Sequence, residues 1–123
     1  MPANLRQAMI FVKDLERMTR FYRDALGLKV LQQTLTSDWA ELDAGGAMLA
    51  LHAIPSEIAA TIEIANPPRR RSNAPIKLIF EVDDLDGARA DLIAHGAIMA
   101  EPRSWSACDG IDPEGNVFQI VRK

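Results

Sequence analysis

The sequence predicts an α+β protein built from two tandem βαβββ modules, one in each half of its 123 residues. The first observation is an internal repeat, because the string Val-x-Asp-Leu at residues 12–15 recurs at residues 82–85. The second is that an amphipathic helical pattern follows each copy of this string. The third is that each helical pattern is followed by strand-like runs separated by turn residues.

Each predicted helix has a start signal, an apolar stripe and a stop signal. Asp14 and Asp84 are the predicted N-caps, since a carboxylate can accept hydrogen bonds from the unpaired N–H groups of a first helical turn. Apolar residues follow at helical spacing in both halves. Gly27 and Gly96 are predicted to end the helices, because glycine adopts the left-handed conformation of a C′ residue without strain.

Three strand-like runs are predicted after each helix. They cover residues 29–34, 39–42 and 47–53 in the first half, and residues 97–100, about 105–110 and 116–122 in the second half. The last two runs of each half are joined by a turn, Asp43-Ala44-Gly45-Gly46 or Asp112-Pro113-Glu114-Gly115. Proline presets the backbone of such a turn, and glycine tolerates the positive φ that follows.

These elements predict a single domain over residues 1–123. Module one covers about residues 5–64, a linker about 65–74 and module two about 75–123. The linker is predicted from Asn66-Pro67-Pro68-Arg69-Arg70-Arg71, where two prolines lack N–H donors and three adjacent cations repel each other.

Composition narrows the function classes. The formal net charge of -3 argues against a nucleic-acid partner, since nucleic-acid domains carry a clustered basic surface. Cys108 is the single cysteine, which excludes an internal disulfide and a Cys-rich zinc site. The apolar runs are shorter than the roughly 18–20 residues of a membrane span. Because the first residues also lack a basic start and an apolar block, we expect a cytoplasmic protein without membrane partners.

Three strings carry a resemblance to a known family. They are Val12-x-Asp14-Leu15, Phe21-Tyr22-x-x-x-Leu26-Gly27 and Asp112-Pro113-x-Gly115-Asn116. With the module order, they resemble the vicinal oxygen chelate (VOC) superfamily of glyoxalases, bleomycin-resistance proteins and extradiol dioxygenases. The resemblance implies a half-open barrel in each module, a pocket for a small organic molecule where the modules face each other, and often a homodimer. Its metal-dependent members hold a divalent ion with inward-facing His, Glu or Gln side chains.

Carried onto this chain, the metal-ligand positions of the resemblance fall on Gln7, Ala50, Lys77 and Gln119. Ala50 has no donor atom, and a protonated lysine repels a divalent cation. We therefore expect no metal ligands and no cofactor. A weak set formed by Gln7, His52 and Gln119 remains an alternative, since His52 projects to the same face of its strand as Ala50.

Six side chains are candidates for the ligand pocket. They are Gln7, Trp39, His52, Lys77, Trp105 and Gln119. Lys77 either binds an anionic oxygen of a ligand, or acts as an acid or base if its pKa falls. The alternative is that it extends to the barrel mouth and pairs with a carboxylate such as Glu81. The glutamines either contact a ligand or bond to other side chains of the pocket. The tryptophans either stack on a ligand or fill the core.

The leading hypothesis is a metal-free, small-molecule-binding homodimer of the resistance or sequestration type, because the expected metal ligands are missing. One alternative is a metal-dependent VOC enzyme, namely a glyoxalase-like lyase, an isomerase or an extradiol dioxygenase. Another is a metal-free enzyme that uses Lys77 for proton transfer. The three linker arginines are either solvated or attract a phosphate- or carboxylate-bearing ligand.

Overall fold

The chain forms two compact units, Met1–Ile62 and Glu63–Lys123. They are called module one and module two below, and the second unit includes the predicted linker. The computed structural model describes Pro2 and residues 5–71, 76–104 and 106–123. Within these described ranges, no helix has the length and apolar character that crossing a membrane requires.

Module one has the element order that the repeat predicts. Its elements are β1 (Ala8–Val12), α1 (Leu15–Leu26), β2 (Lys29–Val30), a 3₁₀ turn (Gln32–Thr34), β3 (Trp39–Asp43), β4 (Met48–Ala53) and the short helix α2 (Ser56–Ala59). The sheet has the strand order β1-β4-β3-β2. β1 runs parallel to β4, and the other neighbours are antiparallel. The sheet is therefore mixed and open.

Local chemistry explains where α1 begins and ends. An Asp14 carboxylate oxygen accepts from the Arg17 amide at 3.0 Å, and Gly27 ends the helix at φ 72°. The helix buries one face against the sheet, and each fully buried large side chain contributes roughly 1.5–3 kcal/mol. The buried side chains are Met18, Phe21, Tyr22 and Ala25 of the helix and Ala40, Leu42, Leu49 and Leu51 of the sheet.

Module two repeats this plan. Its elements are β5 (Leu78–Val82), α3 (Leu85–Ala94), β6 (Ile98–Met99), β7 (Ala107–Ile111) and β8 (Val117–Arg122). The strand order β5-β8-β7-β6 matches that of module one, with β5 parallel to β8. Asp84 caps α3 by accepting from the Gly87 amide at 3.1 Å. The predicted α+β fold of two tandem βαβββ modules is confirmed, and both sheets are open rather than closed into barrels.

Some strand bounds differ from those predicted. The run at 29–34 ends as a strand at Val30, because residues Gln32–Thr34 turn into a 3₁₀ helix. The run at 97–100 narrows to Ile98–Met99. The run near 105–110 begins at Ala107, since Ser106 has φ 65°, a left-handed conformation that does not continue a strand.

Candidate functional site

Each sheet has one face against the helix of its module and an opposite face, called the far face below. In module two, the buried Phe118 and Ile120 lie on the helix side, so Gln119 between them points to the far face. Asp109 on β7 lies directly opposite Gln119, and Ile79 on β5 lies on its other side. The far face of module two therefore carries a polar pair at its centre.

Asp109 is the centre of a hydrogen-bonded cluster. One of its carboxylate oxygens accepts from the Gln119 amide at 2.8 Å and from the Lys77 ammonium at 3.2 Å. The other oxygen accepts from the Arg103 guanidinium. The cluster brings together Lys77 and Gln119, two residues that the sequence analysis predicted for the pocket. It also contains Asp109 and Arg103, which the sequence analysis did not predict.

The electrostatic state of Asp109 follows from these contacts. Burial by itself raises the pKa of this carboxyl group, but hydrogen bonds from Arg103, Gln119 and Lys77 outweigh it and lower the pKa from 3.8 to about 2. Asp109 is therefore ionised at neutral pH, and its charge is already compensated by two cations.

A cleft of about 270 Å³ opens beside this cluster in module two. Apolar side chains on its walls come from three strands: Ile98 of β6, Ile111 of β7 and Val117 of β8. Charged groups also line it, namely Lys77, Asp109 and Arg70 of the linker. An apolar wall with a few converging polar groups is typical of small-molecule sites.

The linker is attached to module two next to this cleft. The Arg71 amide donates to the Gly115 carbonyl at 3.0 Å, and the Arg71 guanidinium donates to the Glu114 carbonyl at 3.0 Å. At Gly115, with φ 86°, a Cβ atom would collide with the backbone oxygen of Arg69. The glycine thus allows the linker backbone to approach the turn closely. This contact holds Arg70 at the cleft.

The turn under the linker is itself well ordered by hydrogen bonds. One carboxylate oxygen of the buried Asp112 accepts from the backbone amides of Glu114 and Asn116, each at 2.9 Å. The Asn116 side chain donates back to Asp112 at 2.8 and 3.1 Å. The buried Asp112 side chain therefore stabilises the Asp-Pro-Glu-Gly-Asn turn from within, and the Glu114 and Gly115 carbonyls accept from Arg71 of the linker.

The far face of module one carries different side chains. His52 lies between Phe11 and Trp39, with ring centroids 5.6 and 5.5 Å apart. In the neighbouring row, Glu41 and the fully buried Ala50 are directly paired. Two predicted pocket residues, Trp39 and His52, thus meet on one face.

The other predicted pocket residues of module one do not join this group. Ala8 is level with Leu49 and Phe11 with His52, so Gln7 lies four residues from the His52 row. At about 3.3 Å per residue, that separation is roughly 13 Å. This register does not bring Gln7 and His52 together as metal ligands. Trp105 lies outside the described residues.

The residues that the resemblance assigns to metal-ligand positions do not fit a divalent ion. Ala50 offers no donor, and the Lys77 ammonium sits on the carboxylate of Asp109. Amide oxygens of glutamine are weak neutral ligands for such an ion. In the described ranges, no group of three or more His, Cys, Asp or Glu side chains is placed to hold a metal ion.

The single cysteine has a structural environment. Cys108 is fully buried on β7, with its sulfur 3.0 Å from the Ala100 carbonyl oxygen. Burial raises the pKa of this thiol, which disfavours the reactive thiolate. Cys108 is therefore part of the core rather than an activated nucleophile.

Sequence reasoning missed Asp109 and Arg103. A signal for Asp109 was present, because the turn at residues 112–115 sets the register of β7 against β8 and puts Asp109 opposite Gln119. No comparable signal existed for Arg103. Arg103 precedes β7 in an irregular segment, and its contact with Asp109 depends on how that segment folds back.

The chain belongs to the glyoxalase-like domain family, whose model matches residues 7–121. No curated protein matches the chain. Among solved structures, it is similar to a glyoxalase/bleomycin resistance protein/dioxygenase family enzyme from Burkholderia phytofirmans PsJN. That match has 24% identity and a TM-score of 0.77, and covers 98% of each chain. The predicted VOC membership is confirmed.

Two further structures show the same fold. A protein of unknown function from Agrobacterium tumefaciens str. C58 has 26% identity and a TM-score of 0.71, covering 100% of this chain and 96% of that one. The fosfomycin resistance protein FosX from Mesorhizobium loti has 18% identity and a TM-score of 0.71, covering 98% of this chain and 92% of that one. These matches place the whole chain within one scaffold, which hosts several functions.

Proposed function

We propose that this protein binds a small organic molecule without a metal ion, in a resistance or sequestration role, and that the cleft of module two is its binding site. The observation that carries the proposal is the cleft itself, where apolar walls meet Lys77, Asp109 and Arg70. Its volume of about 270 Å³ is near the lower end of ligand pockets, about 300–1,000 Å³, so the ligand is small.

The polar groups of the cleft support binding more than metal chemistry. Lys77 stands where a metal-dependent relative would carry a ligand, and its ammonium is hydrogen-bonded to Asp109. A cation held at that point repels a divalent ion and attracts electron-rich ligand atoms. Gln119 is directed into the same cluster, so it helps to orient the carboxylate.

A ligand-observed NMR screen with a library of small organic fragments tests the proposal. We expect hits whose affinity is unchanged by EDTA. Ile98→Trp should block the cleft and weaken these hits at least tenfold, because Ile98 lines it. Ile93→Trp is the matched control, since Ile93 on α3 is equally exposed, 47% against 46%, but does not line the cleft.

Elemental analysis tests the alternative of a metal-dependent enzyme. We expect well under one divalent ion per chain after loading and dialysis. A stoichiometric metal together with chelator-sensitive turnover would replace the binding proposal with a metal-dependent VOC enzyme. Turnover that survives chelation but disappears in Lys77→Met, with an unchanged circular dichroism spectrum, would instead make Lys77 an acid or base.

We also propose a cytoplasmic homodimer. Support for the dimer comes from apolar side chains exposed on the edge strands, namely Met9 and Phe11 on β1 and Ile79 on β5, which a second copy would cover. Support for the compartment is the lone thiol of Cys108, which has no second cysteine to pair with. Light scattering on the purified protein should give twice the chain mass, and a monomer at micromolar concentration contradicts the dimer.

A further inference from the structure

We infer that the ligand of the module-two cleft carries an oxyanion, either a carboxylate or a phosphate, and that Arg70 and Lys77 bind it. This inference rests on the proposed function and adds the chemical class of the ligand. Its basis is the balance of charge in the cleft, the unused hydrogen-bond donors of two cations, and the way the linker is attached.

The charged groups around the cleft favour an anion. The lining contains two cations, Arg70 and Lys77, and one acid, Asp109. Arg103 adds a third cation through its contact with Asp109. Because Asp109 already accepts from three side chains, it has little capacity left to attract a ligand cation. The local charge is positive although the whole chain carries -3.

Lys77 and Arg70 keep donors for a ligand. The Lys77 ammonium has three N–H groups, and its contact with Asp109 occupies one of them. The Arg70 guanidinium makes no hydrogen bond or ion pair with any residue in the described ranges, and it is exposed at the cleft. A guanidinium has five donors in a planar fork, which matches carboxylate and phosphate oxygens in a bidentate geometry.

Arg70 is held in position by its neighbours in the linker. Arg71 on one side is attached to the turn through Gly115 and Glu114, and the Arg69 carbonyl on the other side lies against Gly115. Glu114 is buried and lies 3.6 Å from the Arg71 guanidinium. A cation on an anchored backbone loses less conformational entropy on binding than one on a free loop.

The apolar walls describe the rest of the ligand. Ile98, Ile111 and Val117 offer no hydrogen-bond donors, so they favour a hydrocarbon or aromatic group beside the oxyanion. Inorganic phosphate alone leaves this part of the cleft unfilled. The ligand class is therefore a small organic acid or an organic phosphate.

Isothermal titration with four probes of similar size tests the inference. The probes are benzoate, phenyl phosphate, benzyl alcohol and benzylamine. We expect at least one of the two anions to bind ten times more tightly than the alcohol, and the amine to bind most weakly. Benzoate as the tightest probe indicates a carboxylate ligand, and phenyl phosphate indicates a phosphate ester. The anion affinity should also fall as salt increases, since the cations are partly exposed.

Two adjacent arginines provide a matched pair of variants. Arg70→Gln should weaken the tighter anion about tenfold, or about 1.4 kcal/mol. Arg69→Gln removes the same charge one residue away, where the side chain does not line the cleft, and should change the affinity less than twofold. The circular dichroism spectrum of Arg70→Gln should match that of the unmodified protein, so that a loss of affinity is not due to a loss of fold.

Failure of this inference is distinguishable from failure of the proposed function. Fragment hits at the cleft that are neutral or cationic, or equal losses in Arg70→Gln and Arg69→Gln, would overturn the oxyanion while leaving a small-molecule site. Hits that are insensitive to Ile98→Trp would remove the site itself, and the oxyanion with it.

Discussion

Module one and module two each place a carboxylate at the equivalent position of their own sheet. Glu41 on β3 is paired with Ala50, and Asp109 on β7 is paired with Gln119. Asp109 accepts from three side chains, whereas the Glu41 carboxylate has no hydrogen-bond or ion-pair partner among the described residues. The difference begins with one residue on the central strand, because an alanine cannot donate where a glutamine can.

One topology thus carries two different chemistries in the two modules. Module one has a row of rings on its far face, Phe11, His52 and Trp39. Module two has a charged cluster and a cleft, to which the linker adds Arg70. Strand order and register set where side chains meet, but residue types decide what they do. Substitutions at equivalent positions of the two modules test this view.

The largest difference is expected at the equivalent turn glycines. Gly46 and Gly115 both have positive φ, 107° and 86°, so alanine at either position costs roughly 1–2 kcal/mol of backbone strain. At Gly115 the new Cβ also collides with the Arg69 backbone, whereas nothing lies within 4 Å at Gly46. We expect Gly115→Ala to lower the free energy of unfolding by about 3 kcal/mol or more. Urea denaturation followed by circular dichroism measures both.

The same variant tests the contact between the linker and the turn. Gly115→Ala should weaken anion binding at the cleft, because displacing Arg69 moves Arg70. Equal destabilisation by Gly46→Ala and Gly115→Ala would contradict the contact between the linker and the turn.

The second comparison replaces each carboxylate by its amide. Asp109→Asn should lower the free energy of unfolding by about 1–2 kcal/mol, because charge-assisted hydrogen bonds are lost. The value is modest because Lys77 and Arg103 are about half exposed and solvent screens them. Glu41→Gln should change stability by less than about 0.5 kcal/mol, since no described partner is lost. A larger loss in Glu41→Gln would reverse the comparison.

The third comparison follows Asp109 through acid pH. Its pKa is about 2 in the folded protein against 3.8 ordinarily, so the unfolded chain takes up the proton first as pH falls. The stability that Asp109 contributes is therefore present above about pH 4 and is lost between pH 4 and pH 2. The difference in melting temperature between the protein and Asp109→Asn should shrink over this interval, and a constant difference would contradict the lowered pKa.

The smallest difference between modules is expected at the helix N-caps. Asp14 and Asp84 accept from the amide three residues later at 3.0 and 3.1 Å. Asp14→Ala and Asp84→Ala should each cost about 1 kcal/mol, because one amide of each first turn loses its acceptor. Chemical denaturation should place the two values within about 0.5 kcal/mol of each other. A clear inequality would mean that the modules differ in helix stability as well as in far-face chemistry.

The candidate site was only partly predictable from the sequence. Lys77 and Gln119 were assigned by matching the repeat and the resemblance, and the structure brings them to one carboxylate. Glu81 was the carboxylate named from the sequence as a partner of Lys77, but in the structure Lys77 pairs with Asp109. Lys77 and Asp109 are 32 residues apart, and their meeting requires β5, β8 and β7 to be adjacent.

Local sequence patterns are enough to specify the two modules, their helix caps and their turns. Those features depend on interactions between residues a few positions apart, such as Asp112 with the amides of Glu114 and Asn116. The partner of Lys77 and the position of Arg70 depend instead on the tertiary fold, since Lys77 and Asp109 are 32 residues apart and Arg71 and Glu114 are 43 residues apart. Contacts at such separations depend on how whole strands pair, and no local preference of the chain encodes them.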